Sequence, residues 1–391
     1  MPGFLLLALA AGTAFPASPA SPASPASPGP VPDTGFAPVA RVVERGIHAG
    51  VYPGAVLVVG RRDTILYSGG FGRLTWTART APSAETTRWD LASLTKVVAT
   101  TSAVLVLVDQ GRVRLDDPVS RYLPRFTGEG RERVTVRMLL DHTSGLPAYL
   151  PFYRMATTRS GAVDLLYRQR LRHPPGSVTE YSDLNGILLG LLIEAASGSP
   201  LDRFASREVF GPLGMEATAF APGLPRGGAV APSRKVGCCA APGRVNDDNA
   251  FLLGGVSGHA GLFSTGLDLA RFAQVWLARG ILPGQGQWVS AENLTGFIQR
   301  IATDRRALGW DAPLPGSDSG RPSIYGSSLC GCTVGHTGWT GTMLWIDPQA
   351  DLFVVFLTNR SLEPRVRNSI AVLARLRAEL SESVRTVVGN W

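Results

Sequence analysis

Apolar positions along the chain repeat with two periods. Val39, Val42, Val43 and Ile47 recur at helical spacing, and Gly50 ends the run. Ala55 to Gly60 and Thr64 to Gly70 read as two short strands, with Arg61-Arg62-Asp63 as a hairpin loop. From Asp90, a good N-cap, Leu94, Val97, Val98, Thr101 and Leu105 give a long helix a buried face that ends at Gly111. From Gly111 to about Gly280 the pattern is mostly helices and loops. It includes a turn at Val136 to Asp141 and helices at Ala162 to Arg170, Leu184 to Ala196 and Leu201 to Val209. Ser264 or Thr265 caps an amphipathic helix that runs through Ala278. Strand signals return at Cys332 to His336, Thr342 to Ile346 and Leu352 to Thr358, and Val366 to Leu380 closes the chain as a helix.

Strands near both ends with helices between them predict an α/β fold. One antiparallel sheet is built from both chain ends and flanked by the terminal helices, with a mostly helical region inserted and the active site between the two. The expected division is 1–33 as signal peptide and spacer, 34–85 with 300–391 as the sheet region, and 86–299 as the helical region of one unit. Phe4 to Ala14 is apolar, too short to span a bilayer and followed by small residues, so it reads as an export signal. Ala17 to Pro28 repeats Ala-Ser-Pro four times, a tract that cannot build a core and serves as an extended spacer. The expected product is soluble, without a stable membrane span, and periplasmic or secreted.

Composition sharpens this picture. The net charge of +8 is scattered rather than gathered in a basic tract, so nucleic-acid binding finds no support. Of 38 cationic side chains only Lys96 and Lys235 are lysines. Where a positive charge alone would serve, this chain uses arginine, and an arginine at 96 could not act as a base, because it never gives up its proton. Four cysteines, Cys238, Cys239, Cys330 and Cys332, allow three pairings. A bridge between neighbours is strained, so bridges between the two clusters are expected.

Lys96 lies three residues after Ser93, and residues at that spacing share a helix face. A neutral lysine there can take the serine's proton and make it a nucleophile. That requires an ammonium pKa about 3 units below the ordinary value, or roughly 4 kcal/mol. Partial burial and the positive end of a helix dipole both act in that direction. Two later segments complete the set, Tyr181-Ser182-Asp183 before the apolar helix and His336-Thr337-Gly338 in the late strand region, followed by Trp339.

Ser93-Leu94-Thr95-Lys96, Tyr181-Ser182-Asp183 and His336-Thr337-Gly338, in that order, resemble the serine β-lactamase and penicillin-binding superfamily. The similar branch holds class C β-lactamases, D-alanyl-D-alanine carboxypeptidases and related esterases. The resemblance runs from about Phe36 to about Ile370, with support from the stretches 139–147 and 254–262. It implies a cofactor-free hydrolase that forms an acyl-enzyme on Ser93, with Lys96 as base and Tyr181 as proton shuttle. Asp183, His336, Thr337, Gly338 and Trp339 would then contact substrate. The N–H groups of Ser93 and Trp339 would stabilise the oxyanion, each such donor being worth about 3–4 kcal/mol. The substrate is a small molecule or peptide: an ester, an amide or a D-amino-acid peptide. β-Lactam hydrolysis and a non-catalytic penicillin-binding sensor are the alternatives.

The chain departs from the family pattern twice. Asp183 stands where Asn is usual, and a carboxylate accepts hydrogen bonds but cannot donate them. It would repel a substrate carboxylate and tend to raise the Lys96 pKa. His336 stands where Lys is usual and attracts a carboxylate less. Both changes favour esters, amides or peptides over tight β-lactam binding. His142, Ser144 and His259 read as structural, and Asp247, Asp248 and Asn249 lack metal-loop spacing. There is no G-x-S-x-G, so the nucleophile elbow of the α/β-hydrolases finds no support.

Overall fold

The computed structural model describes residues 35–221, 227–301, 306–312, 325 and 332–389. The expected export signal, spacer and Cys330 lie outside the described residues. The chain divides into Met1–Pro30 and Val31–Trp391, and every described residue belongs to the second unit.

The main sheet joins both ends of that unit. Strands β1 (Gly54–Gly60) and β2 (Ile65–Gly72) form the hairpin, with a register irregularity at Val59/Gly60. The late strands β7 (Val334–Thr337), β8 (Met343–Asp347) and β9 (Leu352–Thr358) add antiparallel neighbours, giving the order β7-β8-β9-β1-β2. β1 and β9 are buried along their whole length, paired from Ala55↔Thr358 to Gly60↔Phe353. Successive side chains on a strand point to opposite faces. Ala55, Leu57 and Val59 therefore share a cluster with Val39, Val42 and Val43 of α1 (Ala37–His48) and Leu373 and Leu380 of α5 (Ser369–Gly389). Val56 and Val58 pack instead into the larger cluster with Leu269 and Phe272 of α4 (Gly266–Leu277). Each such buried Val, Leu or Phe side chain contributes about 1.5–3 kcal/mol.

The middle of the chain is mostly helical, with α3 (Asp183–Ser197) at its centre. It also holds a second sheet that the apolar pattern did not announce. That sheet has the order β4-β6-β3-β5, from β3 (Arg88–Asp90), β4 (Ala219–Phe220), β5 (Val230–Ala231) and β6 (Leu262–Ser264). Strands of two or three residues are too short to show alternation. The helical stretch Ala92–Asp109 has the length and apolarity of a membrane span, but it is largely buried inside the protein.

The cysteines correct an expectation. Cys238 and Cys239 are free and exposed, whereas Cys332 is disulfide-bonded. Bridges joining the two clusters are therefore not formed. Cys238 and Cys239 instead sit together on a two-strand hairpin where Val236 pairs with Cys239.

Candidate active site

Ser93 is presented by a turn rather than by the first turn of an α-helix. Asp90 ends β3, paired with Phe263, so the expected helix N-cap is still in the sheet. Its carboxylate caps the turn that follows. Oδ1 accepts from Ala92 N at 2.9 Å; Oδ2 accepts from Asn246 N at 2.7 Å and Ser233 Oγ at 3.2 Å. Burial pushes the Asp90 carboxyl up to about 6 against these donors. Ala92 has φ of 46°, a strained value for a residue with a side chain, and the strain sits immediately before Ser93.

Ala92–Leu94 then forms a 3₁₀ turn, Lys96–Thr101 a π-helical segment and α2 (Ser102–Asp109) a regular helix. The Ser102 hydroxyl donates to the Val97 carbonyl, five residues back, at 3.0 Å, which fits the wider winding. Irregular winding still leaves Ser93 and Lys96 adjacent, with Nζ 3.2 Å from Ser93 Oγ.

The Lys96 ammonium is buried, and each of its three protons has an acceptor. Besides Ser93 these are Asp183 Oδ1 at 2.7 Å and the His259 carbonyl at 3.1 Å. Burial pulls its pKa down, but the Asp183 carboxylate and the Tyr181 phenol outweigh burial and hold it above the ordinary value. This reverses the lowered pKa expected from burial and a helix dipole. An ion pair at hydrogen-bond distance dominates both.

Tyr181 closes the cluster. Lys96 Nζ lies 5.0 Å from its ring centroid, the His142 ring lies 4.6 Å away and the His336 ring 5.9 Å away. Burial raises the Tyr181 pKa, while Lys96 and a hydrogen bond from Ser93 pull it down and Asp183 adds to the rise.

His336 lies on β7 opposite Leu344 and is 3% exposed. Its Nδ1 lies 2.9 Å from the Thr337 carbonyl, an acceptor, so Nδ1 carries the proton. Nε2 is then an acceptor, and it is buried without a partner among the described residues. Burial, opposed by Asp311 and aided by Lys96 and Arg306, lowers its pKa to about 4.

Gly338 brings β7 against the nucleophile turn. A Cβ there would lie 2.4 Å from the Leu91 carbonyl and 2.2 Å from Thr342 Oγ1. Two threonines fasten the approach, Thr340 Oγ1 donating to Asp90 O at 2.7 Å and Thr342 Oγ1 to Leu91 O at 2.9 Å. Trp339 is 60% exposed. Arg360 holds its carbonyl through Nε at 3.0 Å and stacks against its ring at 4.8 Å. The Trp339 N–H has no backbone acceptor among the described residues.

The fold thus gathers Ser93, Lys96, Tyr181, Asp183 and His336, with Gly338 against the turn. The other polar candidates are bound into structure. His142, with φ of 64°, accepts from Ser182 N through Nδ1 at 3.2 Å, and Ser144 Oγ donates to Asn185 Oδ1 at 2.7 Å. His259 Nε2 lies 2.9 Å from Asp247 Oδ1, and this contact with the imidazole helps bring Asp247 down to about 2 against burial. Sequence reasoning missed Arg306, whose guanidinium lies 5.2 Å from the Tyr181 ring and is paired with Asp311. It is one arginine among many and belongs to no motif.

A serine and a lysine joined at the end of a short strand, with a tyrosine over the lysine and a late strand alongside, define the penicillin-recognising class of serine hydrolases. The comparisons agree. The family model described as Beta-lactamase matches residues 39–379, and the chain belongs to that family. The chain is 33% identical over 372 residues to "N-acetylmuramyl-L-alanine amidase" of Bacillus subtilis, covering 83% of this chain and 81% of the relative. It is 32% identical over 361 residues to "Putative D-alanyl-D-alanine carboxypeptidase" of Escherichia coli O157:H7, covering 83% and 82%. A penicillin-binding protein homologue from Caulobacter crescentus shares the fold, with a TM-score of 0.69 at 21% identity, covering 91% of this chain and 99% of that one.

Proposed function

We propose that the protein is an exported acyl hydrolase working through an acyl-enzyme on Ser93. The juxtaposition of Ser93 Oγ, Lys96 Nζ and the Tyr181 ring carries this reading. Ser93 Oγ attacks the acyl carbon as its proton passes to Lys96. Tyr181, beside both groups, delivers a proton to the leaving group and then helps water attack the acyl-enzyme. The N–H groups of Ser93 and Trp339 receive the developing oxyanion, an interaction of the kind worth about 3–4 kcal/mol per donor. Because Asp183 keeps Lys96 protonated at rest, the reactive neutral lysine becomes populated only as pH rises.

The substrate is an ester or amide, D-amino-acid peptides included. Asp183 places a negative charge beside the reacting serine, and neutral His336 offers an acceptor where a cation would draw in a carboxylate. Arg306 is the nearby cation, and Asp311 already engages it. The cell-wall names of the curated relatives support a peptide substrate. The disulfide at Cys332 and the apolar N-terminal segment support export.

A panel of p-nitrophenyl esters, D-Ala-D-Ala peptides and nitrocefin tests the reading. We expect steady turnover of an ester or the peptide, with nitrocefin slower. No turnover of any member, or nitrocefin as the best substrate, contradicts it.

A further inference from the structure

Cys238 and Cys239 lie outside the Ser93 cluster and take no part in its chemistry. They occupy the tip of a hairpin in which Lys235–Val236 pairs with Cys239–Ala240. Gly237 has φ of 60°, as the first central residue of a two-residue hairpin turn of this kind demands. The turn brings the two sulfurs to 2.7 Å, closer than two unbonded sulfurs ordinarily approach. Both residues are exposed. Cys238 also lines a cleft of about 490 Å³ with Trp76, Thr77, Glu363 and Arg365, so a small reagent can reach it. Lys235, held by Glu363 at 2.6 Å, places an ammonium on the same hairpin. The hydrogen bond with Cys238 holds the Cys239 thiol pKa above its ordinary value, against the pull of that charge.

We propose that Cys238 and Cys239 form a thiol-modification site that closes reversibly to a vicinal disulfide by exchange with a low-molecular-weight disulfide. One thiolate attacks a sulfur of the donor, forming a mixed disulfide and releasing one thiol. The neighbouring thiolate then attacks the protein sulfur of that mixed disulfide and releases the second thiol. The protein loses two hydrogens and the donor disulfide gains them. Consecutive Cα atoms are about 3.8 Å apart, below the usual disulfide span, so the bridge is strained and easily reduced. It is a labile bond rather than a structural staple. The hairpin's base ties it to the nucleophile turn, since Ser233 and Asn246 both bind Asp90.

The test incubates the folded full chain with glutathione disulfide, blocks remaining thiols and digests with trypsin. Cleavage after Lys235 and Arg244 releases both cysteines in one peptide, Val236 to Arg244. We expect this peptide to be lighter by two hydrogens and dithiothreitol to restore it. Cys238→Ser should stop at one glutathione adduct on Cys239. Closure should be several-fold faster in the folded chain than in urea. Persistent glutathione adducts without the lighter peptide, cross-linked dimers, an unreacted peptide, or equal rates in urea would each overturn the proposal.

Discussion

Buried Lys96 Nζ and half-buried Asp183 Oδ1 form an ion pair at 2.7 Å, and that pair sets the protonation state of the candidate base. The carboxylate holds the ammonium pKa above its ordinary value despite burial. A base that must lose a proton gains activity as pH rises. Asp183→Asn removes the charge that keeps the proton on, so the acid limb of kcat/KM should move to lower pH by at least about one unit. A pH–rate profile on a p-nitrophenyl ester measures this; a limb that stays in place denies Asp183 the role.

Lys96→Arg keeps the positive charge but cannot release its proton. Turnover should fall by about 10²–10⁴, the usual contribution of a positioned acid–base group. The same ester assay checks it, with circular dichroism to confirm that the variant is folded.

Gly338→Ala would drive a methyl group into the Leu91 carbonyl and Thr342 Oγ1. Because both neighbours belong to the junction between the late strand and the nucleophile turn, relief must come from moving that junction. We expect a stability loss of about 1–3 kcal/mol, as for other overpacked sites, with activity falling further than stability. Urea unfolding and ester turnover together read the two effects.

His336 titrates at about 4 in the fold, below the ordinary histidine value. Its neutral form therefore contributes stability fully above about pH 6.5, where the unfolded imidazole is also neutral, and that contribution is lost as pH falls through about 4. His336→Gln should flatten the fall of Tm between those limits relative to the unaltered protein. Thermal melts at pH 7, 5.5 and 4 test this. Parallel curves would mean that His336 is not held neutral by the fold.

The long strands and helices were legible because they are apolar at regular spacing. Leu352 to Thr358 and the apolar helix after Tyr181 needed no tertiary information. The N-cap signature at Asp90 is real but serves another element than the helix it predicts. Asp90 caps a turn at the end of a strand whose two partners come from 140 and 170 residues later or so. Ser93 with Lys96 could be found from spacing, and Tyr181 and His336 from the order of motifs. Arg306 could not be found, because its place beside Tyr181 depends on tertiary packing. That Asp183 raises the Lys96 pKa was legible, but whether it outweighs burial was not. Burial and an ion pair oppose each other there, and only the 2.7 Å contact decides between them.

The central claim is that Ser93 becomes acylated. Intact-mass measurement after exposure to a fluorophosphonate probe tests it most directly. The account predicts one adduct per chain, mapped to the peptide holding Ser93, and none in a folded Ser93→Ala variant. Undiminished labelling of Ser93→Ala, or an adduct mapped to another serine, would contradict it.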